Sequence, residues 1–142
     1  MCWNSKKRPE LKVAKRNIKV YKILYIKQFY DGNPIYCSPI KPYFWILGET
    51  MIEFLSTPTP YKVRGFKHWT YEITSGFCSV TTKPYIEVGE KVDYFSTNKR
   101  RLMLHEAGRH IFECELPKGT EYYLNKTGEV ISNQLRIIKR CD

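Results

Sequence analysis

The sequence lacks the features of a membrane or secreted protein. It has no uninterrupted apolar run near the ~20 residues of a transmembrane helix. Its basic start, Met1 to Pro9, leads into further lysines instead of the apolar centre of a signal peptide. The five cysteines are scattered without a Cys-x-x-Cys pair, which disfavours a zinc site or a redox dithiol. We therefore expect a cytoplasmic protein, with Cys114 buried as a small hydrophobic residue.

Recognised catalytic motifs are also absent from the sequence. There is no Walker loop, no Gly-x-Ser-x-Gly turn and no His-Glu-x-x-His segment. His68, His105 and His110 do not share the ligand spacing of a helical metal site. These absences favour a binding protein over an enzyme, and we expect neither a metal nor a cofactor.

Acidic residues are scarce, and their shortage is concentrated at one end of the chain. The sequence holds 24 Lys and Arg against 14 Asp and Glu, a net charge of +10. Residues 1–27 carry nine of the basic side chains against Glu10 alone, which leaves +8 there and +2 in the rest. An anionic partner should therefore meet the N-terminal part of the chain.

The length and the apolar content indicate one folded domain. The chain has 142 residues, of which 42% are hydrophobic and 15% aromatic. Residues 1–16 lack apolar periodicity, which predicts an extended basic arm, and residues 17–142 are predicted to form a single β-rich domain. The stretch from Ile18 to Ile26 alternates and predicts a strand in which Lys22 shares the face of Val20 and Leu24.

Further strands are predicted where short apolar or alternating runs end at turn residues. They cover 35–37, 43–47, 51–55, 69–74, 77–80, 110–116, 121–124, 129–131 and 134–139. The prolines of Thr57-Pro58-Thr59-Pro60 predict a loop, and one short helix is allowed between Thr97 and Ala107. We expect a mostly β fold, with α+β as the alternative. It would be one antiparallel barrel-like or sandwich domain with at most one or two short helices.

Two groups of side chains mix cations with aromatic rings. Phosphates bind Lys and Arg, and bases stack on flat rings, so this mixture suits a nucleotide or a single-stranded nucleic acid. The alternative is a solvated strand face whose aromatic residues belong to the core, and spacing alone does not separate the two. The groups are Lys19, Tyr21, Lys22 and Tyr25 in the first strand, and Arg64, Phe66, Lys67, His68 and Trp69 in the middle of the chain.

A third group lies in the poorly patterned stretch 81–109. Lys99, Arg100 and Arg101 are consecutive, and Arg109 follows. Guanidinium groups can bind phosphate oxygens through two hydrogen bonds, and loops often hold ligands. The alternative is that these charges only keep a loop soluble. We retain Arg100, Arg101 and Arg109 as candidate ligand-binding residues.

Turn motifs recur along the chain from about residue 18. They are Ser38-Pro39, Gly48, Gly76-Phe77-Cys78-Ser79 and the run from Phe112 to Ile138, which includes Pro117-Lys118-Gly119-Thr120-Glu121-Tyr122-Tyr123. These motifs resemble those of a group of small proteins from Bacteroidota and their phages. The resemblance implies a phage-type protein without pointing to an activity. Phe77 and Ser79 are further candidate ligand-binding residues.

The order of Lys22, Ser79 and Glu129 is also similar to that of ADP-ribosyltransferase-like domains. In those domains a basic residue on the first strand, a Ser-rich turn and a late Glu grip NAD. This chain departs from the pattern, because no arginine occupies the first-strand place and the turn reads Ser79-Val80-Thr81. The similarity implies NAD-dependent transfer chemistry.

Three functions follow from these observations. The leading hypothesis is a non-catalytic, phage-type anti-defence protein that binds and sequesters an anionic nucleotide signal in the bacterial host cell. The second is binding to DNA, RNA or a nucleic-acid-bound defence complex, with the arm neutralising phosphates. The third is an ADP-ribosyltransferase-like enzyme. A homo-oligomer is also expected, because exposed strand edges favour pairing between copies.

Overall fold

The computed structural model describes residues 3–30, 33–38, 43–62, 65, 69–84 and 109–141. Regular structure in these ranges is entirely β, with thirteen strands. This confirms the prediction of a mostly β, antiparallel fold. The helix allowed between Thr97 and Ala107 lies outside the described residues. None of the residues described forms a helix with the length and apolarity needed to cross a membrane.

The strands are numbered in chain order, and several are only two or three residues long. Their bounds are β1 Trp3–Ser5, β2 Lys12–Val13, β3 Ile18–Tyr30, β4 Asn33–Cys37, β5 Phe44–Trp45, β6 Thr50–Ile52, β7 Thr59–Tyr61, β8 Thr70–Ile73, β9 Phe77–Val80, β10 Arg109–Leu116, β11 Glu121–Leu124, β12 Glu129–Ser132 and β13 Gln134–Arg140.

The strands form a large and a small sheet. The large sheet has ten strands in the order β2-β11-β12-β9-β3-β10-β13-β6, with β4 and β5 added beside β3. The small sheet has the order β1-β8-β7, and all pairings are antiparallel. Within the described part of the chain, β2 and β6 end the large sheet without pairing to each other, so it is not a closed barrel.

The long strand β3 is the centre of the large sheet. It pairs with β10 along one edge, from Ile18 opposite Leu116 to Tyr25 opposite Arg109, and with β9 and β4 along the other. Val20 and Leu24 are fully buried, and Lys22 between them is 3% exposed. Side chains alternate between the two faces of a strand, so Lys22 enters the core together with its apolar neighbours.

Apolar cores cover both faces of the large sheet. The main core combines residues of β3, β9, β10 and β13 with aromatic rings from the β4–β5 region, where Trp45 lies 5.4 Å from Phe77 between ring centroids. A second core forms where the small sheet packs on β11 and β12, through Trp3, Ile73 and Ile131. Cys114 is 1% exposed in the main core, which confirms the expectation for this thiol.

The short strands are the main departure from the sequence prediction. Strands β1 and β2 lie in the basic arm, where no apolar alternation indicates them. The predicted loop at 57–60 is wrong for Thr59 and Pro60, which begin β7. A proline is compatible with that strand because β7 lies at an edge of the small sheet, where a backbone N–H is not needed on the open side.

Candidate functional site

The basic arm is held on the body of the protein at two points. Trp3 is 2% exposed, packs in the second core, and donates a hydrogen bond from its Nε1 to the carbonyl oxygen of Glu129 at 3.0 Å. Ala14 is equally buried and exchanges two backbone hydrogen bonds of 2.8 Å with the turn at Gly119 and Thr120. The backbone between these two points therefore follows a defined path across the surface.

Cationic side chains along and beside this path face the solvent. Lys19 forms an ion pair with Glu113 at 3.5 Å, and the other cations of the set have no ion pair with a described residue. Glu10 is the acidic residue of the arm. We call the set the basic strip, and it consists of Lys6, Lys7, Arg8, Lys12, Lys15, Arg16, Lys19 and Lys126.

One half of the basic strip borders an open cleft of about 890 Å³, which we call the first cleft. Its charged side chains are Glu10, Lys12, Lys15, Arg16 and Lys19, and its other residues are Leu11, Val13, Asn17, Ile18 and Tyr122. Ile18 and Tyr122 are half-buried and pack against the main core, so they form the base of the first cleft. Cations thus border a partly apolar, partly aromatic surface.

Five members of the basic strip, with Lys12 again among them, border a second cleft of about 570 Å³. Glu10 and Lys12 line both clefts, so the two form one continuous surface. The cations of the second cleft are Lys6, Lys7, Arg8, Lys12 and Lys126. This continuity gives a cationic path along the arm that is longer than either cleft.

An apolar groove of about 510 Å³ lies on the far side of Leu11. Leu11 lines both this groove and the first cleft. The charged residues of the groove are Glu53 and Glu121. Carboxylates repel phosphate, so the surface favourable to an anion ends at Leu11 on this side.

Three of the predicted ligand-binding residues lie in the main core. Lys22, Phe77 and Ser79 are at most 3% exposed, and none of them lines the clefts described above. The Lys22 ammonium donates a hydrogen bond to the carbonyl oxygen of Cys78 and lies 5.7 Å from the centre of the Trp45 ring. These contacts stabilise a buried charge and give Lys22 a structural role.

Burial also controls the protonation of a thiol in the main core and of a phenol that packs against this core. It raises the pKa of the Cys114 thiol to about 12, although the charge of Lys22 acts in the opposite direction. Burial raises the pKa of Tyr43 to about 12 as well, and the nearby carboxylate of Glu53 adds to this effect. Both groups therefore stay neutral in the folded protein near pH 7.

The remaining predicted residues do not assemble around one ligand in the described part of the chain. Tyr21 lies on the face opposite Lys22 and packs with Ile23 and Ile111. Trp69 is 54% exposed before β8 and lines none of the clefts described here. Lys19 does line the first cleft. Arg64, Lys67, Arg100 and Arg101 lie outside the described residues, as does the side chain of Arg109.

The three residues expected from the ADP-ribosyltransferase similarity are divided between the faces of the large sheet. Ser79 is paired with Val130 and is buried in the main core, where Lys22 also lies. Glu129 is paired with Val80, which packs in the core on the opposite face. Directly opposite residues share a face and successive residues alternate, so Glu129 is not on the face that carries Lys22 and Ser79.

The sequence indicates the charge of the arm but not the clefts that the arm borders. Tyr122 and Lys126 are not among the predicted ligand-binding residues, because each is distant in sequence from the N-terminal cations. Pairing of β2 with β11 sets Tyr122 directly opposite Lys12. The charge excess of residues 1–27 was the available signal for this region.

Comparisons of the chain with protein-family models, with curated proteins and with solved structures found no match.

Proposed function

We propose that this protein binds nucleic acid along the basic strip. The observation that carries the proposal is a row of exposed cations over two clefts that share Glu10 and Lys12. Because the arm is anchored at Trp3 and Ala14, the row is held in place before a ligand arrives. A partner with regularly repeated phosphates matches such a row better than an isolated anion does.

The electrostatics of the strip support an interaction with a phosphate backbone. Apart from Lys19, its members form no ion pair with the described residues, so binding would not first have to break such a pair. Each phosphate that Lys or Arg neutralises releases condensed counterions, which drives binding at low salt. The proposed activity is therefore a salt-dependent association.

A second function, binding of one anionic nucleotide, is favoured by the size of the first cleft. Its volume of about 890 Å³ falls within the range of small-molecule sites. Tyr122 offers a ring for a base, and Lys12, Lys15 and Arg16 offer partners for phosphate. Sequestration of an immune signal, the role expected from the phage resemblance, would use this cleft.

Binding of labelled oligonucleotides, measured by fluorescence anisotropy at several salt concentrations, tests the main proposal. We compare the double variant Lys12→Ala/Lys15→Ala with Lys62→Ala/Lys83→Ala, whose exposed lysines line neither cleft. The two variants lose the same charge. For two lost phosphate contacts, the slope of log affinity against log salt should become shallower by about 1.4–1.8, and the affinity should fall by about fivefold to eightfold per contact at 0.1 M salt.

The control variant should keep the slope of the unmodified protein. Equal behaviour of the two variants would contradict a role for the basic strip.

Calorimetric titration with cyclic nucleotides and cyclic ADP-ribose isomers tests the second function. That function fails if none of these ligands binds at micromolar concentration.

A further inference from the structure

We infer that the nucleic acid is single-stranded and that one of its bases enters the first cleft against the ring of Tyr122. This inference rests on the proposed function and assigns the substrate class of the same site. It depends on the apolar and aromatic side chains that lie among the cations, because phosphate binding alone does not require them.

Tyr122 is placed to combine a base contact with a phosphate contact. It lies directly opposite Lys12 across the β2–β11 pair, and such residues share a face with Cβ atoms about 5 Å apart. Tyr122 is half-buried against the main core, which limits its motion. A phosphate at Lys12 would therefore hold an adjacent base close to an immobilised ring.

Apolar side chains in the first cleft add to the argument for a single strand. Leu11 is 46% exposed and Val13 is 55% exposed, and both line the cleft among its cations. A duplex presents phosphates and sugars on its outside and hides the faces of its bases. It would leave this apolar surface uncovered, whereas a single strand offers base faces together with phosphates.

The charges around the clefts also indicate the path of the bound strand over the protein surface. Glu53 and Glu121 in the apolar groove disfavour phosphate on the far side of Leu11. Lys6, Lys7 and Arg8 favour it in the second cleft. The bound strand therefore runs from the base site at Tyr122 along the arm toward Lys126.

The test compares four probes that carry the same label: a twelve-nucleotide oligo(dU), the corresponding oligo(rU), a twelve-nucleotide single strand of mixed sequence and the duplex of that strand. We expect both homopolymers and the mixed strand to bind at least tenfold more tightly than the duplex. Tyr122→Leu should weaken single-strand binding about fivefold to 150-fold, since stacking of one base contributes about 1–3 kcal/mol. Tyr122→Phe should retain the affinity.

Two further variants separate base contact from loss of folding. Phe44→Leu removes an exposed ring that lines neither cleft, so it should leave all affinities unchanged. Leu11→Ser alters an exposed side chain of the first cleft, so it should weaken single-strand binding severalfold with little change in stability. Circular dichroism tests whether each variant is folded.

Each outcome distinguishes this inference from the proposed function. If duplex and single strands bind equally, and Tyr122→Leu and Leu11→Ser leave both unchanged, the inference is overturned while the salt-dependent loss in Lys12→Ala/Lys15→Ala still supports the function. If no probe binds at low salt, both are overturned. A preference for oligo(dU) or for oligo(rU), which differ only in the 2′-hydroxyl, identifies the sugar that the site accepts and supports the inference.

Discussion

Substitution of Gly76 should destabilise the fold strongly because this residue lies in the turn between the two sheets. Gly76 joins β8 of the small sheet to β9 of the large one and has a φ of 134°. A Cβ atom there would lie 2.6 Å from Cγ1 of Ile131 and 2.9 Å from Cδ1 of Leu55. Non-bonded carbon atoms prefer separations of about 3.5–4.0 Å, so Gly76→Ala introduces both backbone strain and overpacking.

Gly119→Ala provides a control in which only the strain is present. Gly119 has a φ of 93°, and a Cβ atom there would meet nothing within 4 Å. An unfavourable backbone conformation costs about 1–3 kcal/mol, and overpacking of a core costs about 1–3 kcal/mol more. The free energy of unfolding should therefore fall by about 2–6 kcal/mol in Gly76→Ala and by about 1–3 kcal/mol in Gly119→Ala.

Urea unfolding followed by tryptophan fluorescence measures both free energies. With a slope of about 1–3 kcal/mol per molar urea, the midpoint of Gly76→Ala should lie clearly below that of Gly119→Ala. If the two variants are equally stable, then Ile131 and Leu55 move aside without cost. That result would refute the tight contact between the β8–β9 turn and the second core.

The remaining predictions concern groups that lie in the main core or pack against it. The buried Ser79 Oγ has no hydrogen-bond partner among the described residues. In Ser79→Ala, the free energy of unfolding in urea should therefore stay unchanged or rise by about 1 kcal/mol. Weaker ligand binding in this variant would instead favour the predicted role of Ser79 in a ligand site. Because burial raises the pKa of Cys114 from 9.0 to about 12, deprotonation favours the unfolded chain, and stability should fall as the pH rises through this interval. Alkaline urea titrations should show a smaller fall in Cys114→Ala, and an equal fall would contradict the burial of the thiol. Tyr43, whose pKa is raised from 10.0 to about 12, should contribute a similar loss between these values, which Tyr43→Phe removes.

Several elements of the fold could be predicted because local pattern and tertiary environment agree. The alternation from Ile18 to Ile26 placed Lys22 with Val20 and Leu24, and all three are buried in the main core. The regular pattern around Cys114 similarly indicated a strand with this thiol inside. In such stretches the side-chain period of two is visible in the sequence.

The short strands β1, β2 and β7 could not be predicted in this way. A strand of two or three residues has too few positions to show a period, and its stability depends on the partner strand. The arm pairs with β8 and β11 through Trp3 and Lys12, whose partners are distant in sequence. Burial of Trp3 against Tyr123 stabilises the docked arm. No local pattern in the sequence predicts this contact.

The sequence by itself determined the β character of this protein and the concentration of positive charge near its N-terminus, because both are properties of local composition and periodicity. Only the tertiary structure decided which cations face an open surface. It buried Lys22 in the core, left Lys12 and Lys15 exposed beside Tyr122, and set Glu129 on the face opposite Ser79. These outcomes depend on strand pairing and register, which are set by contacts between residues far apart along the chain.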